Sequence, residues 1–209
     1  MGRTVLVLAP HTDDGEFGCG GTIARFCRDG DEVHYAAFSA AEQSVLPHLP
    51  SDILRTEVRA AVVELGIPLE QLSIFDFEVR TFPRFRQEIL ERMVALNQEI
   101  KPDVVLLPSA NDTHQDHATI AAEGFRAFKR QTMLGYEIPW NNLDFRTSCF
   151  VAVDEECAER KIRALACYES QQHRSYASEE FVRALLLTRG TQIGQRYAEA
   201  FEVIRWVIS

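Results

Sequence analysis

A chain of 209 residues with 46% hydrophobic and 25% charged side chains has the composition of a globular protein that buries one substantial core. Its formal net charge of −9 argues against a nucleic-acid partner, because neutralising phosphates takes clustered Lys and Arg. No apolar run approaches the roughly 20 residues of a membrane span, and residues 5–9 are too few for a signal-peptide core. Five cysteines, an odd number without a C-x-x-C pair, favour reduced thiols, so we expect a cytoplasmic protein.

Apolar, β-branched runs alternate with helical patterns along the chain. Residues 4–9 (TVLVLA) fit a strand buried on both faces, as in a parallel sheet covered by helices. Ser51 is placed to cap the second predicted helix, and Gly66 and Pro68 to end it. The sequence predicts strands at residues 4–9, 33–38, 73–75, 104–107, 149–153 and 201–208, and helices at 22–28, 52–65, 84–100 and 155–168. This alternation predicts an α/β fold, a Rossmann-like, mostly parallel sheet with helices on both faces, in a single domain over residues 1–209.

The segment Gly18-Cys19-Gly20-Gly21-Thr22 is rich in glycine. It matches neither G-x-G-x-x-G nor a P-loop, which ends in Gly-Lys-Ser/Thr, so it is a weak nucleotide-binding signal. We interpret the glycines as permitting a sharp strand-to-helix turn and close backbone approach, and Cys19 as a packed thiol.

Two groups of metal-ligating residues each follow an apolar run that ends in proline. His11-Thr12-Asp13-Asp14 comes directly after the first strand, and His114-Gln115-Asp116-His117 lies a few residues beyond the strand that ends near residue 107. In open parallel sheets, ligands bind beyond the carboxyl ends of the strands, where the strand order reverses. If these two strands are neighbours at that point, the two groups meet in space.

The residue types predict a catalytic metal site. His11 and Asp14 are three apart on a tight turn, so an imidazole nitrogen and a carboxylate oxygen can reach one ion, and His117 would supply a third bond. Two histidines and one carboxylate leave coordination positions open for water and substrate, as catalytic sites do.

The remaining polar residues of the two groups suit proton transfer. Asp13, adjacent to the ligand Asp14, is free to take a proton from the water and is the candidate general base. His114, three residues before His117, would stabilise a developing oxyanion. Asp116 would orient one of the imidazoles and raise its basicity.

The segments PHTDDGEFGCGGTIA (residues 10–24) and NDTHQDH (residues 111–117) resemble the PIG-L/LmbE-like family of metal-dependent N-acetylglucosaminide deacetylases. Residues 55–66, 165–171 and 189–201 resemble further parts of that family, so the resemblance covers nearly the whole chain. One departure is visible. Many members have Glu directly after the Asp pair, where this chain has Gly15 and then Glu16, as a branch of the family does.

This resemblance implies a cofactor and a set of roles. His11, Asp14 and His117 would bind one Zn²⁺ per chain, with Fe²⁺ as the alternative in the cell. Asp13 would be the base and His114 the oxyanion-stabilising acid. Arg55 is in register with a family arginine that contacts substrate, although an arginine early in an amphipathic helix is more often solvated or ion-paired.

We therefore expect hydrolysis of the N-acetyl group of a small N-acetylglucosamine-type amino sugar or glycoconjugate, with release of acetate. Two alternatives stay open: a metal-dependent phosphoesterase, which usually needs two metal ions, and a non-catalytic nucleotide-binding module built on residues 18–22. We expect specificity to lie in loops 40–50, 76–83 and 135–146. The choice between monomer and homo-oligomer is open. The aromatic residues of these loops would stack on a sugar, or belong to the core or to a subunit contact: Phe77, Phe82, Tyr136 and Trp140.

Overall fold

The centre of the fold is a strand of uninterrupted apolar residues. The structure, a computed structural model that describes residues 2–208, places β1 (Thr4–His11) between β2 (Glu32–Ser39) and β4 (Val104–Pro108), parallel to both. Residues 2–208 form one seven-stranded sheet in the order β3-β2-β1-β4-β5-β7-β6. The other strands are β3 (Leu72–Ile74), β5 (Thr132–Tyr136), β6 (Cys149–Val153) and β7 (Tyr197–Arg205). Six of the seven strands run in one direction, and β7 alone is antiparallel to its two neighbours, β5 and β6.

Helices cover both faces of this sheet, as the sequence predicts. The side chains of β1 alternate between two buried clusters: Val5, Val7 and Ala9 face one, and Leu6 and Leu8 face the other. This period of two is what a strand buried on both sides requires. One cluster includes residues of α1 (Asp14–Arg28), α2 (Ile53–Leu65), α5 (Glu155–Ala166) and α6 (Glu179–Thr191), and the other includes residues of α3 (Arg86–Ile100) and α4 (Gln115–Ala127).

The prediction of a turn at residues 18–22 is wrong, because α1 begins at Asp14 and continues through the glycines. A Cβ at Gly18 would lie 2.3 Å from Tyr136 Cδ2, so the glycine allows the helix to pack against that ring. The helix kinks at Cys19 (φ −149°, ψ 24°), where Glu199 accepts hydrogen bonds from the backbone N–H groups of Gly21 and Thr22. The close backbone approach is confirmed, as is the burial of Cys19, but the segment is a helix interior.

Three elements have no counterpart in the prediction: α4, β5 and α6. Two boundaries also differ. The residue at the N-cap position of the second helix is Asp52, not Ser51, and its side chain makes no capping hydrogen bond. The last strand begins at Tyr197, which pairs with Val153 of β6. None of the helices that residues 2–208 form is long and apolar enough to cross a membrane.

Candidate active site

The two predicted groups of ligands meet at the carboxyl ends of β1 and β4. These strands are paired in parallel at the centre of the sheet. The helix after β1 runs back over one face and the helix after β4 over the other, which makes this pair the point where the strand order reverses. The fold therefore carries side chains some hundred residues apart in sequence to one place.

Three donor atoms form a small triangle there. His11 Nδ1 lies 3.1 Å from Asp14 Oδ2, His117 Nε2 lies 3.2 Å from the same oxygen, and the two ring nitrogens are 3.4 Å apart. Bonds of 2.0–2.1 Å at tetrahedral angles to one ion would separate such atoms by about 3.3 Å. His114 belongs to a wider group with the two other histidines, whose ligand atoms lie within 4.8 Å of one another. The residues present thus fit one metal ion.

Each histidine of the triangle has a carboxylate on its other ring nitrogen. His11 Nε2 is 3.0 Å from Asp116 Oδ2, and His117 Nδ1 is 2.7 Å from Asp112 Oδ2. Both carboxylates are buried. Such partners fix the tautomer and the ring orientation of a ligating histidine. Asp116 thus lies against His11, and its orienting role stays a prediction. Asp112 was not predicted, although its place five residues before His117, in the same motif, was a usable signal.

The charges around the triangle favour a cation. Burial alone lowers the pKa of both histidines, but the carboxylates outweigh it: Asp14 and Asp116 raise the pKa of His11 to about 9, and Asp14 and Asp112 raise that of His117 to about 10. Burial opposes ionisation of Asp14, yet the charges of His117 and His11 hold its pKa far below the usual range. A divalent cation satisfies the same carboxylates and displaces the ring protons.

Asp13 and His114 lie beside the triangle and line the same pocket. Burial, together with the charge of Asp14, raises the pKa of Asp13 to about 6. His114 caps α4, and its Nδ1 accepts a hydrogen bond from the Asp116 backbone N–H at 3.2 Å. The neutral ring therefore carries its proton on Nε2. Burial and the charges of His117 and His11 lower the pKa of His114, which favours that neutral donor form.

A buried hydrogen-bond cluster supports the turn that carries Asp13. The hydroxyls of Tyr35 and Tyr168 each contact the carboxyl of Glu16, at 2.5 and 2.9 Å, and the carbonyl oxygen of Thr12, at 2.9 and 2.6 Å. Burial raises the pKa of Glu16 to about 8. A Cβ at Gly15 would lie 2.5 Å from the Tyr35 ring. A Glu at position 15, as in many members of the family, would therefore need the Tyr35 ring to move.

The pocket above the triangle has a volume of about 320 Å³. Its polar end is the triangle with Asp13 and His114, and aromatic rings form another part of its wall. Trp140 stacks on Tyr176 with ring centroids 3.9 Å apart, and Phe17 meets both rings edge-on. All three predicted specificity loops contribute lining residues, namely Ala41, Ser44, Val79, Arg80, Trp140 and Asn141.

The other aromatic residues singled out in the sequence have different places. Phe82 and Tyr136 are fully buried core residues, and Phe77 packs on Phe38 and Phe82. Arg55 forms ion pairs with Glu42, at 2.7 Å, and with Asp76. It is not among the described residues that line the pocket, so its contact with substrate stays a prediction.

The fold and the site define an α/β protein with a histidine–carboxylate centre, fit for a metal ion, at the carboxyl edge of its sheet. The family model described as PIG-L: GlcNAc-PI de-N-acetylase matches residues 6–128, more than half of the chain. The chain therefore belongs to the PIG-L family and is a hydrolytic N-deacetylase.

Three similar proteins place this family membership in context. The diacetylchitobiose deacetylase of Thermococcus kodakarensis is 25% identical, over 97% of this chain and 83% of that protein. The crystal structure of the conserved protein TT1542 from Thermus thermophilus matches with a TM-score of 0.84 and 24% identity, covering 99% of this chain and 97% of that one. GalB, the 4-carboxy-2-hydroxymuconate hydratase of Pseudomonas putida, matches with a TM-score of 0.81 and 20% identity, covering 99% and 98%. The two structures show the fold alone, and the hydratase shows that this fold also supports another reaction.

Proposed function

We propose that this chain is a metal-dependent hydrolase that removes the N-acetyl group from an N-acetylglucosamine-type amino sugar or glycoconjugate and releases acetate. The observation that carries the proposal is the triangle of His11, Asp14 and His117, whose donor atoms lie 3.1–3.4 Å apart. Family membership supports hydrolysis of an N-acetyl amide bond, and the relative named diacetylchitobiose deacetylase supports an N-acetylglucosamine-type sugar as substrate.

The cofactor we propose is one Zn²⁺ held by these three residues, with Fe²⁺ as the alternative. Two imidazole nitrogens and one carboxylate oxygen suit both ions. When bound, such an ion supplies Lewis acidity, which polarises the acetyl carbonyl and acidifies a water molecule. Asp112 and Asp116 would keep the two rings in the ligating tautomer through the contacts at Nδ1 of His117 and Nε2 of His11.

The proton transfers fall to Asp13 and His114. Asp13 would accept a proton from the attacking water, and its pKa of about 6 is near the range in which a general base works well. His114 would donate a hydrogen bond from Nε2–H to the acyl oxygen as negative charge develops there. The leaving amine would then take its proton from Asp13 or from His114. Water adds across the amide, so the products are acetate and the free amine.

The two other functions considered from the sequence have less support. Among residues 2–208, the one group of three or more His, Cys, Asp or Glu residues placed to hold a metal ion is His11, His114 and His117, which shares two residues with the triangle. Phosphoesterases usually need two ions about 3.5–4 Å apart. The glycine segment that suggested a nucleotide-binding module is the interior of α1, packed against Tyr136, and offers no phosphate loop.

The proposal is tested by acetate release and metal content measured on the same purified samples. The protein is stripped with a chelator, reloaded with Zn²⁺ or Fe²⁺, and assayed on N-acetylglucosamine and diacetylchitobiose. We expect about one equivalent of metal. Asp13→Asn should keep the metal and lose roughly 10²- to 10⁴-fold in kcat, whereas His117→Gln should lose both metal and activity. Asp29→Asn, at the exposed far end of the same helix, is the matched control and should behave as wild type.

Two results would overturn the proposal. Full turnover by Asp13→Asn would show that Asp13 is not the general base. Binding of two equivalents of metal, together with release of phosphate from a phosphoester and no release of acetate, would favour the phosphoesterase.

A further inference from the structure

Arg80 holds a backbone conformation that L-residues rarely adopt. Its φ is 69°, in the left-handed region, which costs a side-chain-bearing residue on the order of 1–2 kcal/mol. Within residues 2–208, two other non-glycine residues have positive φ, Ala41 and Lys101. Lys101 ends α3, where a left-handed residue is ordinary. Arg80 lies in the loop before α3, in the wall of the active-site pocket.

The buried carboxylate of Asp116 fixes this conformation. Asp116 Oδ2 accepts a hydrogen bond from the Arg80 backbone N–H at 2.5 Å, and Oδ1 accepts one from the Phe82 backbone N–H at 3.2 Å. The same carboxylate contacts His11. A glycine at position 80 would supply the same backbone N–H without the strain. The presence of arginine at this strained position therefore indicates a role for its side chain that glycine would lack.

The guanidinium of Arg80 belongs to an exposed side chain that lines the pocket. One of its nitrogens donates to Ser44 Oγ at 3.2 Å, and no carboxylate of residues 2–208 forms an ion pair with it. Arg55 is the contrast, because Glu42 and Asp76 neutralise it. Arg174 is a second such group in the pocket wall. In the described part of the chain its side chain is held by Gln171 and lies over the Tyr176 ring, again without a carboxylate.

We propose that Arg80, assisted by Arg174, forms an oxyanion subsite that selects N-acetylated amino sugars carrying a phosphate or a carboxylate. A guanidinium presents five donors in a planar fork that matches such groups. Two unpaired guanidiniums in the pocket of a chain of net charge −9 draw an anionic substrate toward this site. This inference rests on the proposed function and adds the chemistry of the group next to the sugar.

The test compares matched neutral and anionic sugars on the metal-loaded protein. The substrates are N-acetylglucosamine, its 1- and 6-phosphates, and N-acetylmuramic acid. N-acetylmuramic acid carries a carboxylate in place of a phosphate, so it distinguishes the two kinds of anionic group. The variants are Arg80→Gly, Arg80→Lys and, as the matched control, Lys101→Gly, which relieves the same backbone strain away from the pocket. The affinity of the free-amine products, with and without phosphate, is measured alongside by calorimetry, and thermal unfolding is followed for each variant.

We expect wild type to prefer at least one anionic sugar by tenfold or more in kcat/KM. Arg80→Gly should reduce that preference by tenfold or more, both in kcat/KM and in product affinity, while its Tm is no lower than that of wild type. Arg80→Lys should keep part of the preference, and Lys101→Gly all of it. Added salt should weaken the preference of wild type more than that of Arg80→Gly.

Two outcomes would overturn the subsite: equal treatment of neutral and anionic sugars by wild type, or an unchanged preference in Arg80→Gly. A Tm several degrees lower in Arg80→Gly would overturn the argument from strain. If no sugar releases acetate with either metal, the proposed function fails, and the ratio of product affinities still decides whether Arg80 binds an oxyanion.

Discussion

Replacing Asp112 by asparagine removes a buried charge beside His117 and keeps the size of the side chain. Both carboxylate oxygens of Asp112 are in use: Oδ2 faces His117 Nδ1 at 2.7 Å, and Oδ1 accepts the His114 backbone N–H at 2.8 Å. Asparagine has one acceptor oxygen and one donor group on this fork. While His117 carries its proton on Nδ1, as metal binding at Nε2 requires, asparagine can accept from only one of these two partners, and its amide hydrogens then face the other.

The size of the effect follows from these contacts. A hydrogen bond to a charged group contributes roughly 1.5–3 kcal/mol, and the loss of a carboxylate behind a ligating histidine costs about 10- to 100-fold in metal affinity. This loss of metal affinity corresponds to about 1.4–2.8 kcal/mol of binding free energy. We therefore expect Asp112→Asn to bind Zn²⁺ 10- to 100-fold more weakly than wild type and to lose activity at limiting metal.

Zinc affinity is measured by competition with a chromogenic chelator, with urea unfolding of the metal-free proteins in parallel. Asp103→Asn is the control, because Asp103 accepts a hydrogen bond from the Thr4 backbone N–H at 2.9 Å at the opposite edge of the sheet. It should leave zinc affinity unchanged. If Asp112→Asn binds zinc as tightly as wild type while its unfolding free energy falls, Asp112 serves the fold alone and His117 is not held for a metal.

Two further predictions concern buried and capping carboxyls. Glu16→Ala removes the carboxyl group that the hydroxyls of Tyr35 and Tyr168 both contact, and it should lower the free energy of unfolding by roughly 2–4 kcal/mol. Glu16→Gln should cost less than half as much in the same urea titration, and equal losses would contradict the hydrogen-bond argument. Asp154 caps α5, and the Cys157 N–H, with Arg28, lowers its pKa from 3.8 to about 2. Its contribution is therefore present above about pH 4 and lost as the pH falls toward 2. Asp154→Ala should cost roughly 1 kcal/mol near pH 7 and clearly less at pH 3, and a constant difference in unfolding free energy would refute the assignment.

The sequence predicts the sheet well where strands are short, apolar and bounded by polar residues. β1 and β4 are such runs, and their burial on both faces follows from their lack of polar alternation. α1 is different, because three glycines within four residues are typical of a turn. The helix persists because Glu199 binds its backbone and Tyr136 fills the groove over Gly18. These partners are more than a hundred residues away and leave no local pattern.

The candidate site also has a part that the sequence predicts and a part that depends on the fold. The residue types and spacing of His11, Asp14 and His117 place them in one site once the strand order is known. Spacing does not say which ring nitrogen faces which carboxylate, so the contact of Asp112 with His117 is visible only in the fold. Arg80 carries no sequence signal, because its importance lies in its φ and in the absence of an ion pair among the described residues.

Asp116 connects the chemistry of the site to its specificity. It stands in the first turn of α4, contacts His11 with one oxygen, and holds the backbone of the 76–83 loop with both. A loop displaced by a different substrate group would therefore pull on the carboxylate that contacts His11. Because the loop carries Arg80 into the pocket, the proposed recognition of an anionic group and the alignment of that imidazole would depend on one side chain. Substitutions in this loop should consequently change kcat together with KM, unlike those at Trp140, whose ring touches the pocket but not this carboxylate.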